Sequence, residues 1–218
     1  MDVKNLIAWR VAQEMKNGDV VNLGIGLPTL VPNHLPAGVT ITLQSENGFL
    51  GLDQLAGDPV PDLINAGGQP CGLAPGGVYF DSAMSFAIIR GGHVDATVLG
   101  GLQVDQQGNL ANWMVPGKMV PGMGGAMDLV SGARTVIVAM EHATRDGGAK
   151  ILKTCTLPLT AAGKVTSIIT ELAVFRFIQG VLTLTETAPG VTLETIRAKT
   201  EAEFKVSPGC KVMQAPAL

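Results

Sequence analysis

The stretch Val39-Thr-Ile-Thr-Leu-Gln-Ser-Glu-Asn-Gly48 decides how the rest of the chain is read. Val39 to Leu43 is a short β-branched run, the composition of a buried strand. Ser45-Glu46-Asn47-Gly48 follows, and then the apolar Phe49-Leu50-Gly51. A carboxylate is thereby presented where a strand ends and a glycine turn begins. In open α/β sheets the carboxyl edge of the strands is where ligands bind. A glutamate is ionised near neutral pH, so it can attack an activated acyl group without a general base. Taken alone, the four residues also fit an ordinary turn, because Asn-Gly is a common turn dipeptide.

Working outward, strands and helices alternate. Asn5 to Met15 places Ile7, Val11 and Met15 on one helical face, ending near Asn17-Gly18. Residues 20–26 read as a strand entering a Gly turn, and Thr29 to Leu35 as a short helix before Pro36. Leu63-Ile64 and Val78-Tyr79-Phe80 are predicted as short strands flanking the Gly/Pro-rich segment 67–77. Ser82 to Arg90 is a predicted helix closed by Gly91-Gly92, followed by strands at 96–99, 135–140 and 151–154. The tail is predicted as a helix at 165–171, strands at 172–177 and 181–186, and a helix at 192–200. This alternation points to an α/β protein with an open, mostly parallel sheet flanked by helices. No linker or repeat interrupts it, so residues 1–218 are read as one domain.

Composition agrees. Of 218 residues 46% are hydrophobic, only 15% charged and 4% aromatic, and there are 28 glycines. That profile favours aliphatic strands with tight turns over a helical bundle. The net charge is −3 and no basic run appears, which argues against a nucleic-acid partner. No run of 18 apolar residues suggests a membrane span, and Met1-Asp-Val-Lys4 does not open a secretory signal, so a cytoplasmic location is expected. Cys71, Cys155 and Cys210 lack metal-ligand spacing and read as reduced thiols. His34, His93 and His142 are too scattered for a metal site and are expected to be structural.

Two Gly-rich turns are candidate ligand cradles. Gly24-Ile-Gly-Leu-Pro-Thr29 lacks the third glycine of a dinucleotide fingerprint, and Pro28 occupies the helix entry. No phosphate-binding P-loop pattern occurs. The second turn is more specific: Gly122, Gly124 and Gly125 lead into a helix opened by Ala126, with Asp128 in its first turn. Free N–H groups there can hold an oxyanion or phosphate, although a loop packed tightly under a strand needs the same glycines.

Together, Asn22-Leu-Gly-Ile-Gly26, Ser45-Glu-Asn-Gly48, Asn65-Ala-Gly67, Arg90-Gly-Gly-His-Val-Asp95, Ala111-Asn-Trp113 and the block from Gly122 to Leu129 resemble, in this order, the β subunit of 3-oxoacid CoA-transferases, in family I of the CoA-transferases. The resemblance runs from residue 4 to about 204. Pro116-Gly-Lys-Met-Val-Pro121 looks more like the acetoacetate-utilising members than the 3-oxoadipate ones. Leu52-Asp53-Gln54 departs from the Gly-Pro usual in the family. The resemblance implies the CoA-transferase, ribose-phosphate-isomerase-like fold and Glu46 as the catalytic nucleophile, passing through a glutamyl-CoA thioester. It further implies an oxyanion hole and CoA contact at Gly124, Gly125 and Ala126, and Ser45, Asn47 and Gly48 as residues that orient Glu46. Coenzyme A is then a substrate, and no separate cofactor or metal is expected. The implied partner is a CoA-transferase α subunit, as αβ or α2β2, and the ligands are acyl-CoA and short-chain carboxylic acids. An acyl-CoA hydrolase on the same scaffold and a non-catalytic ligand sensor are the alternatives.

Overall fold

The computed structural model describes residues 2–53, 58, 60, 62–117 and 122–214. The chain opens with α1 (Val3–Ala12), capped by the Asp2 carboxylate accepting from the Asn5 N–H at 2.8 Å. It continues through β1 (Val20–Leu23), a 3-10 helix (Leu27–His34), β2 (Thr42–Ser45), β3 (Phe49–Asp53) and β4 (Gly72–Tyr79). Next come α2 (Ser82–Arg90), β5 (Ala96–Leu99), β6 (Gln103–Asp105), β7 (Leu110–Ala111), α3 (Ala126–Gly132) and β8 (Thr135–Ala139). The last elements are β9 (Ile151–Leu152), β10 (Ser167–Ile169), β11 (Ala173–Ile178), β12 (Val181–Thr187), α4 (Leu193–Ala198) and β13 (Lys205–Val212).

Ten strands form one sheet in the order β13-β12-β11-β10-β8-β5-β1-β2-β3-β4, and β7-β6-β9 form a small second sheet. The five central strands, β10-β8-β5-β1-β2, are all parallel. Antiparallel pairs flank them on both sides, at β10-β11-β12 and β2-β3-β4.

Alternation along β8 shows how the two faces are filled. Val136 and Val138 point into one core with Ile89 of α2 and Leu129 and Val130 of α3. Ile137 and Ala139 point into the other, with Ile7 and Val11 of α1 and Val31 of the 3-10 helix. Both faces of the parallel centre are therefore covered, as such sheets require.

Several sequence expectations shift. Residues 165–171, expected as a helix, contain β10 instead. Ser167, Ile168 and Ile169 are all buried, paired to β8 on one side and β11 on the other. A short run buried on both faces carries no alternation to separate strand from helix. The strand expected at 39–43 begins only at Thr42, because Val39 closes a turn onto the Pro36 carbonyl at 3.0 Å. Pro28 and Pro32 make the segment after β1 a 3-10 helix. The Gly/Pro-rich segment becomes β4 from Gly72 onward, an edge strand, where Pro75 is tolerated. Leu63-Ile64 forms no strand; Ile64 makes an isolated bridge to Pro70. The strand expected at 151–154 is only Ile151–Leu152.

Candidate active site

The turn that carries Glu46 is built from its own strand. β2 ends at Ser45, and residues 46–48 turn into β3, with the Gly48 N–H donating to the Ser45 carbonyl at 3.0 Å. Gly48 has φ 122°, and a Cβ there would overlap the Phe80 carbonyl, so the turn requires glycine. The Phe80 N–H in turn donates to the Gly48 carbonyl at 3.0 Å. The Ser45 hydroxyl donates to the Asn47 side-chain oxygen at 2.6 Å, and the Asn47 amide donates to the Ile64 carbonyl at 2.7 Å. Phe49 is buried and meets Tyr79 edge to face at 5.3 Å between centroids.

Glu46 is partly buried and projects toward the glycine turn before α3. The Gly125 N–H donates to both carboxylate oxygens, at 3.2 Å to Oε1 and 3.1 Å to Oε2. A Cβ on Gly125 would overlap the Glu46 carboxylate and sit 3.2 Å from the Phe86 ring. A Cβ on Gly124 would sit 3.3 Å from Glu46 Oε1. Close approach thus favours glycine at 125, and at 124 the backbone itself does, with φ 56° in the left-handed region. Two segments 79 residues apart in sequence, 45–48 and 124–125, meet at this carboxylate. The Ala126 N–H differs from its neighbour: it points back to the Met123 carbonyl at 3.4 Å. Lys118, Met119, Val120 and Pro121, together with Gln54, lie outside the described residues.

Beneath the turn, Ser45 is joined to three buried polar residues, Asn22, Gln44 and Ser85, whose roles sequence reasoning did not single out. The Asn22 amide donates to Gln44 Oε1 at 2.7 Å and to the Gln44 carbonyl at 3.1 Å. Gln44 Nε2 donates to Ser85 Oγ at 2.9 Å, and Ser85 Oγ donates to the Ser45 carbonyl at 3.2 Å. All four residues are buried. The available signal was Gln44 itself, an amide inside an otherwise β-branched run, since buried amides need partners.

On the rim lies a cleft of about 400 Å³, lined by Ile25, Leu43, Ser45, Asn65, Gly67 and Cys71 among others. Burial raises the Cys71 thiol pKa. Burial, and then the neighbouring Asp105 carboxylate, push Cys155 up to about 12, so it stays a thiol. His142 is fully buried between the Thr170 and Thr200 hydroxyls, and burial first, then Lys199 and Lys150, lower its pKa to about 4. A protonated thiol is a poor nucleophile, so neither Cys71 nor Cys155 is primed for attack. Among the described residues, no group of three His, Cys, Asp or Glu side chains could hold a metal ion. No helix among them is long and apolar enough to cross a membrane.

Comparison with known proteins identifies the family. The model of the coenzyme A transferase family matches residues 4–199. The chain is 68% identical over 207 residues to the beta subunit of the acetate CoA-transferase of Escherichia coli K12, covering 95% of each chain. It is 57% identical over 208 residues to one subunit of a probable succinyl-CoA:3-ketoacid coenzyme A transferase of Bacillus subtilis, covering 94% of this chain and 96% of that one. Among solved structures, the apoenzyme of the acyl-CoA transferase YdiF from Escherichia coli O157:H7 superposes with a TM-score of 0.80 at 24% identity. That match covers 98% of this chain and 43% of the other, and it supports the fold. The chain belongs to the coenzyme A transferase family, among its 3-oxoacid CoA-transferase β subunits.

Proposed function

We propose that this chain is the catalytic subunit of an enzyme that moves CoA between an acyl-CoA and a 3-oxoacid such as acetoacetate. The observation that carries the reading is the Glu46 carboxylate held by the N–H of Gly125, where a side chain would overlap the carboxylate. A Glu46 oxygen attacks the thioester carbonyl, forming an acyl-glutamyl anhydride and expelling CoA thiolate. The thiolate attacks Glu46 Cδ, releases the first carboxylate and leaves a glutamyl-CoA thioester. A second carboxylate runs the two steps in reverse and departs as the new acyl-CoA. Each acyl bond broken is matched by one formed, so the thioester's free energy is retained and ping-pong kinetics follow.

The geometry supports a role for the glycine turn in the second step. There the tetrahedral centre is Glu46 Cδ, and its oxygen already receives the Gly125 N–H. The Gly124 N–H, carried over from the family, serves the oxyanion on the substrate side, where one such donor is worth about 3 kcal/mol; the Ala126 N–H, also carried over, joins it only by leaving the Met123 carbonyl. Ser45, Asn47 and Gly48 orient the carboxylate through the turn bonds described above. Phe49, Leu50 and Met123 help exclude water. CoA is the substrate, with no resident cofactor.

Relatives named as beta subunits support a partner α subunit, in an αβ or α2β2 assembly. The unbroken ten-stranded sheet supports reading residues 1–218 as one domain. The cytoplasm, which supplies CoA esters, is the location that suits this chemistry.

The test is the intact mass of this chain, purified with its partner, after incubation with acetoacetyl-CoA and no acceptor acid. The expected gain is one CoA minus one water, mapped to Glu46 and absent in Glu46→Gln. Glu46→Gln should also lower transfer by at least about a thousandfold. Consumption of acyl-CoA without an adduct would favour a hydrolase, and an unchanged acyl-CoA a sensor.

A further inference from the structure

The Asn22, Gln44 and Ser85 side chains form a one-way chain of donors. Asn22 donates to Gln44, Gln44 to Ser85, and Ser85 to the carbonyl of Ser45, the residue bonded to Glu46. Every link is 3.2 Å or shorter, and no donor is reversed along the path. Chains aligned in this way polarise one another and favour a single geometry. The terminal carbonyl is the one that also closes the nucleophile turn through the Gly48 N–H.

The helix that carries Ser85 touches the other half of the site as well. Phe86, the next residue of α2, lies beside the position from which Gly125 would project a side chain. Arg90, one turn further on, pairs with Asp128 of α3 at 2.7 Å and stacks on Phe86 at 5.4 Å. A Cβ on Gly132 of α3 would overlap the Ile89 carbonyl, so the two helices are in backbone contact. Thus α2 holds the β2 turn with one residue and the helix behind the glycine turn with others.

We propose that Gln44 and Ser85 are positioning residues, which fix the backbone of the 45–48 turn so that Glu46 meets the acyl carbon in register with the Gly125 N–H. The inference rests on Glu46 being the nucleophile. A structural role alone makes a different prediction. Replacing both partners of the Gln44–Ser85 contact by apolar groups of similar shape is close to neutral for stability, because the Asn22 amide keeps the Gln44 main-chain carbonyl as an acceptor at 3.1 Å. An apolar version of this contact should then be stable and fully active if the chain serves only to satisfy buried groups. If it positions the turn, the same protein is stable and slow.

The experiment uses the chain assembled with its partner, comparing Ser85→Ala, Gln44→Met and the double substitution. Rapid quench and intact mass follow the rate and the final amount of the Glu46–CoA adduct from acetoacetyl-CoA. The expected result is a fall of about ten- to a hundredfold in the rate of adduct formation, the scale of a slightly misplaced reacting group. The final amount of adduct should match the unsubstituted enzyme, and KM for acetoacetyl-CoA should stay within about twofold. A normal rate in the folded variants, or a loss confined to the final amount, overturns the positioning role. Should Ser85→Ala not fold, Gln44→Met alone reads the same rate, with the same two outcomes. Failure of the unsubstituted enzyme to form any Glu46 adduct would instead overturn the nucleophile reading, and the inference with it.

Discussion

Strands β8 and β2 lie in the same parallel sheet, with two strands between them, and their interiors are built on opposite terms. β8 buries Val136, Ile137, Val138 and Ala139, apolar on both faces. β2 buries Gln44 and Ser45, an amide and a hydroxyl, at the same depth. Burying an unpaired amide or hydroxyl costs about 1–3 kcal/mol, so β2 is tolerable only because its polar side chains have partners. The difference separates two tasks within one sheet. The β8 side makes the fold stable, and the β2 side uses polar contacts to set one direction for one carboxylate.

Removing the anchor of the scaffold side should give the largest stability effect. Arg10 of α1 is buried and forks onto Glu186 of β12, with Nε to Oε2 and Nη2 to Oε1 both at 2.8 Å. It also meets Glu14 at 2.7 Å, and Glu14 meets Arg176 of β11. Arg10→Met leaves the Glu186 carboxylate buried, with Lys211, 3.6 Å away and mostly exposed, as its remaining ion pair among the described residues. Breaking a buried pair in this way costs about 3–5 kcal/mol. Thermal denaturation should show a drop of about 6–20 °C at this chain length. Transfer activity well below the transition should be unchanged. A loss of activity without a loss of stability would erase the division between the two sides.

Gly125→Ala is the converse. Its methyl group overlaps the Glu46 carboxylate and crowds Phe86, a half-buried ring at the margin of the core. Displacing the carboxylate from the Gly125 N–H should lower kcat about a hundredfold, the scale of one lost oxyanion donor. Melting temperature should stay within a few degrees. If the variant melts early and keeps its rate per folded molecule, the glycine turn is a packing device.

How far the sequence reached follows the same division. Glu46 and Gly125 were legible as candidates because glycine turns at strand ends and helix starts leave a local mark, and it was the resemblance to a family that set them above ordinary turns. The parallel centre was legible because strands such as Val136 to Ala139 are continuous apolar runs. Ser167 to Ile169 was misread because three buried residues have no period, and their strand identity comes from β8 and β11 on either side. The Asn22–Gln44–Ser85 chain was missed for a related reason. Its members come from β1, β2 and α2, up to 63 residues apart, and only the sheet order brings them together. Asn22 sits inside a recognised motif, yet nothing local distinguishes an amide that faces solvent from one that faces another amide.

The finest cut between the two sides is a pH profile. His142 follows β8 and is enclosed by the Thr170 and Thr200 hydroxyls, with its ring 6.1 Å from that of Phe175. Its pKa is lowered from 6.5 to about 4 by burial first and by Lys199 and Lys150 after it. The unfolded chain therefore binds a proton at this site between about pH 6.5 and 4 that the folded chain refuses. Stability from this group is complete above pH 6.5, and it is lost progressively as pH falls toward 4. At pH 5 the loss is on the order of 2 kcal/mol. His142→Gln can accept and donate toward the two threonines without titrating. Urea unfolding of both proteins from pH 7.5 to 5 should show the gap between them shrinking as pH falls, by about that amount. Parallel profiles would mean that the folded protein admits the proton, and that this end of β8 is wetter than its neighbours. Because Glu46 is three strands away across β5 and β1, the rate of adduct formation per folded molecule should be the same in His142→Gln as in the unsubstituted protein at every pH where both are folded. Only a shared shift in both quantities would show the scaffold side reaching into the site.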